Sequence, residues 1–192
     1  LVCGYPMVYA VAPDSPIKSF GDLLAKAKAS PGKVTYSITA FGSIYHVLTK
    51  WIELESGTSM TPIPYRGTSL ALQDVLGGRV DVMVDAATSM FPRIRSGLLR
   101  LLAVSSADRY PLMPQAPTVA ESVPGIGFMS WLGIVMPPGT ARPTIDRLNS
   151  RQTLLAQLVE QQRQAEQHVA FENFGRARPQ AFELLTTSKL KS

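Results

Sequence analysis

Cysteine and histidine are both scarce in this sequence of 192 residues. Cys3 is the single cysteine, so no intrachain disulfide can form and no cysteine zinc cluster is possible. His46 and His168 are the two histidines, and they leave little for a metal site. The composition therefore predicts neither a disulfide framework nor a metal or other cofactor.

Long apolar runs and a strong charge of one sign are also missing. No run approaches the roughly 20 apolar residues of a membrane span. The first twelve residues are interrupted by Gly4 and Pro6 and lack a basic start, so they do not read as a signal peptide. The net charge of +5 favours anionic partners without indicating nucleic acid. No phosphate-binding glycine motif occurs, and no aromatic residues interleave with the basic ones at Arg93, Arg95, Arg100 and Arg109.

Short apolar strands alternate with amphipathic helices along most of the chain. Hydrophobic residues make up 45% of the sequence, and its 15 prolines and 14 glycines are spread out, which suits many short elements joined by turns. Successive strand-to-helix units predict a parallel sheet with helices on its faces, an α/β fold whose strand order the sequence does not reveal. The predicted strands lie at 7–12, 34–37, 60–64, 80–84, 99–104 and 128–136.

Three predicted strand-to-helix loops carry hydroxyl side chains, at 37–43, 65–69 and 85–89. Ligands of open parallel sheets bind beyond the carboxyl ends of the strands, where helix N-termini offer free backbone N–H groups and a positive dipole end. The hydroxyls in these loops either donate to a carboxylate or only cap helices, and for each single residue both readings stay open. For three loops at one sheet edge, we favour a ligand.

Charged residues in the same loops leave alternatives open. Asp85 would repel an anion unless it bound a ligand amine, hydroxyl or ordered water, and it is equally explained as a helix cap. Arg66 suits a bidentate pair with a ligand carboxylate or a role as a surface arginine. Ser43, His46 and Asp85 have the residue types of a hydrolase triad, with Ser37 a second candidate nucleophile, but no Gly-x-Ser-x-Gly elbow is present. We therefore do not expect an enzyme.

An ordered set of short segments resembles the substrate-binding proteins of tripartite tricarboxylate transporters, the TctC-like or Bug family. No single segment is specific, but their order covers nearly all of residues 5–150. The segments are IPYRG at 63–67, ALQDVLGGRVDVM at 71–83, IRSG at 94–97, LAVSS at 102–106, APTVAE at 116–121, WLG at 131–133, PPGT at 137–140 and IDRLN at 145–149.

The resemblance implies a type II periplasmic-binding-protein fold with two α/β lobes around a cleft. Residues 13–103 would form the second lobe, which carries the ligand loop. Residues 1–12 would supply a crossover strand, and residues 104–192 the C-terminal part of the first lobe. The family's N-terminal segment, with its Pro-Gly-Gly-Gly loop, is not found in this sequence, so the first lobe is expected to be incomplete.

The resemblance also implies a periplasmic protein that captures a small carboxylate for the membrane components of such a transporter. It is not expected to be embedded in the membrane. Bulky residues in the ligand loop, among them Ile38 and Tyr45, would favour an apolar or aromatic ligand. Two alternatives remain, the ligand-sensing effector domain of a LysR-type regulator and a nonfunctional truncated remnant. The expected ligand-binding residues are Ser37, Thr39, Ala40, Phe41, Gly42, Ser43, His46, Tyr65, Arg66 and Asp85.

Overall fold

The computed structural model describes residues 3–133, 137–147, 149–151 and 153. The chain divides into two units, Leu1–Ile134 and Val135–Ser192. The first unit contains seven described strands, four α-helices and a short 3-10 helix, Val119–Glu121. In chain order they are β1 Cys3–Tyr5, β2 Met7–Val11, α1 Phe20–Ala29, β3 Thr35–Ile38, α2 Ile44–Ser56, β4 Thr61–Pro64, α3 Thr68–Leu76, β5 Met83–Ala86, α4 Ala87–Arg95, β6 Arg100–Val104 and β7 Ser130–Leu132.

Five of these strands lie side by side in the order β4-β3-β5-β2-β6. Strands β3 and β4 pair in parallel, and β2 pairs with both β5 and β6. Hydrogen bonds between Val82 and the backbones of Thr35 and Ser37 join β3 to the segment that enters β5. The predicted α/β fold is therefore confirmed.

The direction of β2 departs from the predicted parallel sheet. It runs antiparallel to β5 and β6, while β3, β4, β5 and β6 all run the same way. An apolar run has the same pattern in either direction, so the sequence does not reveal strand polarity. The expectation of an all-parallel sheet is wrong for this one strand.

The two faces of the sheet are covered by different helices. Along β2, Tyr9 packs in a core cluster with residues of α1 and α2, and Val8 packs in a second cluster with residues of α3 and α4. Every residue of β2 is buried, as expected for a strand with helices on both sides, where the apolar run is continuous. The sheet is thus the middle layer of three.

Local capping signals explain where α1 and α2 begin and end. Ser19, followed three residues later by Asp22, predicts a capping box at the start of α1. The structure confirms it, since Ser19 accepts from the Asp22 backbone and the Asp22 side chain accepts from the Ser19 backbone. Gly57 ends α2 at a φ of 64°, in the left-handed region that glycine adopts without strain. The hydroxyls of Thr88 and Ser89 predict an N-cap at one of these two residues, but the N-cap is Ala86 and α4 begins at Ala87, because β5 leads directly into the helix.

Two further strands, β1 and β7, form a separate antiparallel pair. The strand predicted at 128–136 is found only at Ser130–Leu132, because Phe128, Met129 and Gly133 are not in a strand, and 134–136 lie outside the described residues. Ser105 ties this region to the sheet, because its hydroxyl accepts from the Met7 backbone and donates to the Phe128 carbonyl, each at 2.8 Å. Ser105 therefore holds the start of β2 and the segment before β7 together.

In the second unit, residues 142–147 are helical. Arg142 and Asp146 form an exposed ion pair at 3.4 Å on this helix. His168 and most of the glutamine-rich stretch 151–168 lie outside the described residues. No helix in the described part of the chain is both long and apolar enough to cross a membrane.

Candidate functional site

The carboxyl ends of the parallel strands share one edge of the sheet, and three helices begin at that edge. Strand β3 ends at Ile38 before α2, β4 ends at Pro64 before α3, and β5 runs directly into α4. The first backbone N–H groups of each helix have no partner within the helix and lie at its positive end. The structure therefore brings the three predicted loops to one edge.

The loop that precedes α2 is turned toward solvent at its tip. Thr39, Ala40, Phe41 and Gly42 are exposed, and the Phe41 side chain is 65% accessible. Gly42 has a φ of 78°, a conformation in which a side chain would be strained. The Ser43 N–H donates to the Ala40 carbonyl at 3.1 Å and closes the turn. The loop tip therefore presents its backbone and one aromatic ring to solvent.

Ser37 lies apart from the rest of that loop. Its side chain is 2% exposed, and its hydroxyl accepts a hydrogen bond from the Val84 backbone at 3.1 Å. Residue 37 belongs to β3, where alternate side chains point to opposite faces of the sheet. Ser37 therefore joins β3 to β5 inside the protein.

Ser43 occupies the N-cap position of α2 without capping it. Its side chain makes no hydrogen bond to the helix backbone. The Oγ atom is shielded from solvent and has no hydrogen-bond partner within the described part of the chain. The capping explanation is thus wrong for Ser43, whose hydroxyl keeps an unused hydrogen-bonding capacity.

His46 is held by the loop in front of it. Its Nδ1 accepts from the Gly42 N–H at 3.1 Å, and the Phe41 ring meets the imidazole edge-on at a centroid distance of 5.6 Å. An imidazole nitrogen that accepts from an N–H carries no proton, so the proton of neutral His46 lies on Nε2. Neither contact involves Ser43, and the triad of Ser43, His46 and Asp85 is not assembled.

Asp85 is nearly buried, at 8% exposure, and accepts three hydrogen bonds. The Tyr45 hydroxyl donates to Oδ1 at 3.1 Å, and the Thr68 hydroxyl donates to Oδ2 at 2.6 Å. The Ala86 backbone N–H also donates to Oδ1, at 2.7 Å. Burial raises the pKa of Tyr45 above its ordinary value, and the Asp85 carboxylate raises it further. One carboxylate thus joins the first turns of α2 and α3 to the end of β5.

Tyr65 and Arg66 differ in how they are held. The Tyr65 hydroxyl donates to Asp74 Oδ2 at 2.7 Å, and the Arg79 side chain donates to Oδ1 of the same carboxylate, also at 2.7 Å. Burial raises the pKa of Tyr65 to about 12, with a further contribution from the hydrogen bond to Asp74. Arg66 is exposed, so its guanidinium is open to an anion.

The sequence missed two features of this edge. Tyr45 was expected as a bulky neighbour of the loop and not as a partner of Asp85. Ser106 follows β6 at the same edge, where its hydroxyl is buried without a partner in the described residues, and it is not among the expected ligand-binding residues. The position of Ser106 directly after an apolar strand was the available signal. Within the described ranges, no group of three or more potential metal ligands is present.

The family model that matches this chain is TctC, the tripartite tricarboxylate transporter family receptor, over residues 1–174. One curated relative is Protein BugT of Bordetella pertussis, 36% identical over 150 residues, which are 78% of this chain and 46% of BugT. Another is a UPF0065 protein in the tcbD-tcbE intergenic region of Pseudomonas sp. (strain P51), 35% identical over 152 residues, 78% of this chain and 45% of the relative.

Solved structures are similar over the same part of the chain. R. palustris Rpa4515 with adipate is 32% identical with a TM-score of 0.71, over 78% of this chain and 50% of that one. The periplasmic binding protein BugD is 31% identical with a TM-score of 0.67, over 78% and 50%. The chain spans about half the length of the relatives that it matches.

Proposed function

The chain belongs to the tripartite tricarboxylate transporter receptor family, and on that premise we propose that it binds a small carboxylate at the sheet edge where α2, α3 and α4 begin. This family consists of solute-binding proteins and not of enzymes, as the sequence suggested. The ligand is held and released without chemical change.

The unpartnered hydroxyl of Ser43 carries this proposal. It stands at the N-terminus of α2, where the helix dipole and free N–H groups favour a negative charge. The residue is half-buried, so rotation about its Cα–Cβ bond turns the hydroxyl outward. Together with exposed Thr39, the loop backbone and the Nε2–H of His46, it offers donors that match the acceptor atoms of a carboxylate.

The adipate-bound relative supports a carboxylate as the ligand class. Arg66 is exposed near the start of α3, where it supplies a positive charge for a second carboxylate. Phe41 supplies an apolar surface beside the loop for the body of the ligand. We assign Ala40 and Gly42 a backbone role, and Tyr65 a role in shaping the pocket, since its hydroxyl is engaged by Asp74.

The lobe division expected from the sequence is part of the same proposal. Residues 13–103 would form the ligand-binding lobe, 1–12 the crossover strand and 104–192 part of the other lobe. The central position of β2 supports a strand that enters this lobe from outside it. The family, whose solved members include periplasmic binding proteins, supports a proposed periplasmic location and proposed docking to the membrane components of a tripartite transporter.

Native mass spectrometry followed by calorimetry tests the proposal. We expect the purified chain to retain a small acidic molecule, or to bind adipate, succinate or citrate with a stoichiometry of one. Ser43→Ala is expected to weaken binding. Ser59→Ala is the matched control, because Ser59 is an exposed serine that precedes β4 at the other end of the sheet. A bare chain that binds no carboxylate in either experiment contradicts the proposal.

A further inference from the structure

Strand β4 lies at one lateral edge of the sheet, with β3 as its single strand partner among the described residues. None of its residues is buried, whereas every residue of β2 and β5 is buried. The free side of an edge strand presents unpaired N–H and C=O groups, which another chain can use to add a strand. The outer side of β4 is therefore a place where this sheet could be extended.

The hydrogen bonds of β4 show which of its residues face outward. The Thr61 N–H donates to the Val34 carbonyl, and the Tyr65 N–H donates to the Ile38 carbonyl, each at 2.8 Å. In a parallel pair, every second residue of a strand turns both its N–H and its C=O to the same neighbour. The odd-numbered residues therefore bond to β3, and the backbones of the even-numbered residues point away from it.

Both outward-facing positions of β4 are prolines, Pro62 and Pro64. Proline has no backbone N–H, so the outer side of β4 offers carbonyl acceptors and no donors. A strand that adds to an edge needs both. Neither proline removes a hydrogen bond from the pairing with β3, because the missing N–H would have faced outward. Prolines at these two positions thus block strand addition and leave the sheet intact.

The segment around these prolines has the other properties of an aggregation-prone strand. Residues 60–65, Met-Thr-Pro-Ile-Pro-Tyr, contain no charged side chain, and apart from the prolines they are apolar, β-branched or aromatic. Six-residue segments with low charge, high β propensity and no proline are typical of cross-β assembly, above all on an exposed edge. Since β4 carries no charge that would oppose pairing, its protection depends on the two prolines.

The opposite lateral edge of the sheet is protected differently. There the Val104 N–H of β6 donates to the Pro117 carbonyl at 2.9 Å, and Val104 forms a parallel bridge with Thr118. A later segment of the same chain therefore covers the end of β6. Along β4, the described part of the chain provides no such cover.

We propose that Pro62 and Pro64 prevent the outer side of β4 from pairing with the same strand of a second copy of this chain. A second copy is the relevant partner because every molecule presents an identical edge, and two identical edges can meet antiparallel about a twofold axis. This role is independent of carboxylate binding, since it concerns hydrogen bonding along the side of β4.

Replacement of both prolines by valine tests the proposal on the full chain. Pro62→Val/Pro64→Val restores two outward N–H groups in residues of high β propensity. In sedimentation velocity, we expect the average mass of this variant to rise with concentration to at least twice that of the wild type, as a dimer requires. Thioflavin T fluorescence should rise with it. Ser59→Val is the matched control, because it adds the same side chain at an exposed position before β4 and keeps both prolines.

Two results would overturn the proposal. One is a folded double variant whose mass and thioflavin T fluorescence match those of the wild type at every concentration. The other is equal association of Ser59→Val, which would assign the effect to added apolar surface and not to restored N–H groups. Circular dichroism and thermal melts verify folding. If the double variant does not fold, Pro62→Val alone carries the same test, because residue 62 lies inside the strand and not at its end.

Discussion

Asp81 and Asp85 lie four positions apart at opposite ends of the segment that includes β5, and their surroundings differ. Asp81 precedes the strand and is held by the Lys26 ammonium at 2.8 Å and by the backbone and hydroxyl of Thr35, both at 2.9 Å. Asp85 is held by two hydroxyls and one backbone N–H, with no cation among its described partners.

The difference separates the sheet edge at Asp81, where the carboxylate has a cation among its partners, from the edge at Asp85, where it has none among the described residues. At Asp81 the charge is neutralised and the donors of Thr35 are used, which suits a role in joining β3 to β5. At Asp85 no cation is among the described partners, and the Ser43 hydroxyl at the start of α2 lacks a partner within the described residues. Incomplete satisfaction at the carboxyl ends of parallel strands is what a ligand site requires before its ligand arrives.

The largest effect is expected from Asp85→Ala. Removing the carboxylate leaves the Tyr45 and Thr68 hydroxyls and the Ala86 N–H without their acceptor, at a cost of about 2–3 kcal/mol in the free energy of unfolding. Urea denaturation measures the loss. Asp81→Ala is the matched variant, and we expect it to destabilise the chain without altering carboxylate affinity. Equal loss of affinity in both variants would erase the distinction between the two edges.

Ser43→Ala and Thr39→Ala are expected to act on binding and not on stability. Each removes a donor to the ligand carboxylate, which weakens binding by about 1–3 kcal/mol if the bond is charge-assisted. Stability should not fall, because the Ser43 hydroxyl makes no hydrogen bond in the described structure. Calorimetry with the best-bound acid measures the affinity. An unchanged affinity in both variants would remove the loop from the site.

Acidification should lower the stability that the Asp81 carboxylate contributes to the fold. Burial by itself raises the pKa of that carboxyl, but the Lys26 ammonium and the Thr35 donors outweigh it and hold the pKa below its ordinary value. The carboxylate therefore stabilises the fold above about pH 3.9, and this contribution is lost as the pH falls through the lower folded-state pKa. Denaturant titrations between pH 5 and pH 3 should show a steeper loss in the wild type than in Asp81→Asn. Parallel curves would contradict the assignment.

The smallest effect is expected from Lys26→Met. The Lys26 side chain is 43% exposed, and exposed ion pairs contribute about 0.5 kcal/mol or less. Added salt should reduce even that difference, since screening weakens charges near solvent. Chemical denaturation by urea at low and high salt measures it. A loss that is larger and independent of salt would show that Lys26 stabilises α1 by packing and not by its charge.

The sequence was most informative where the signal is local. Ser19 and Asp22 predict the capping box of α1. Ile44, Val47, Leu48, Trp51 and Ile52 are spaced to share one helical face, which predicts α2. Both patterns depend on neighbours within one or two turns. The loops of the candidate site were also predicted, since each follows an apolar strand directly.

What the sequence did not predict depends on how distant segments come together. The direction of β2 is not encoded in its hydrophobic pattern. The contacts of Asp85 with Tyr45 and Thr68 form only when β3, β4 and β5 lie side by side, because α2 follows β3 and α3 follows β4. The burial of Ser37 depends on which face of β3 it occupies once β5 lies beside that strand. Local periodicity specifies elements, while the partners of polar groups are set by the assembled sheet.

The central position of β2 has a consequence for the order of folding. This strand precedes most of the sheet in sequence but is covered on both sides by β5 and β6, and the Met7 backbone bonds to Ser105 across 98 residues. Such pairing closes a long loop, which slows folding relative to local contacts. During synthesis β2 therefore emerges before both strands that pair with it, and its hydrogen bonds are complete only after residue 105 has been made.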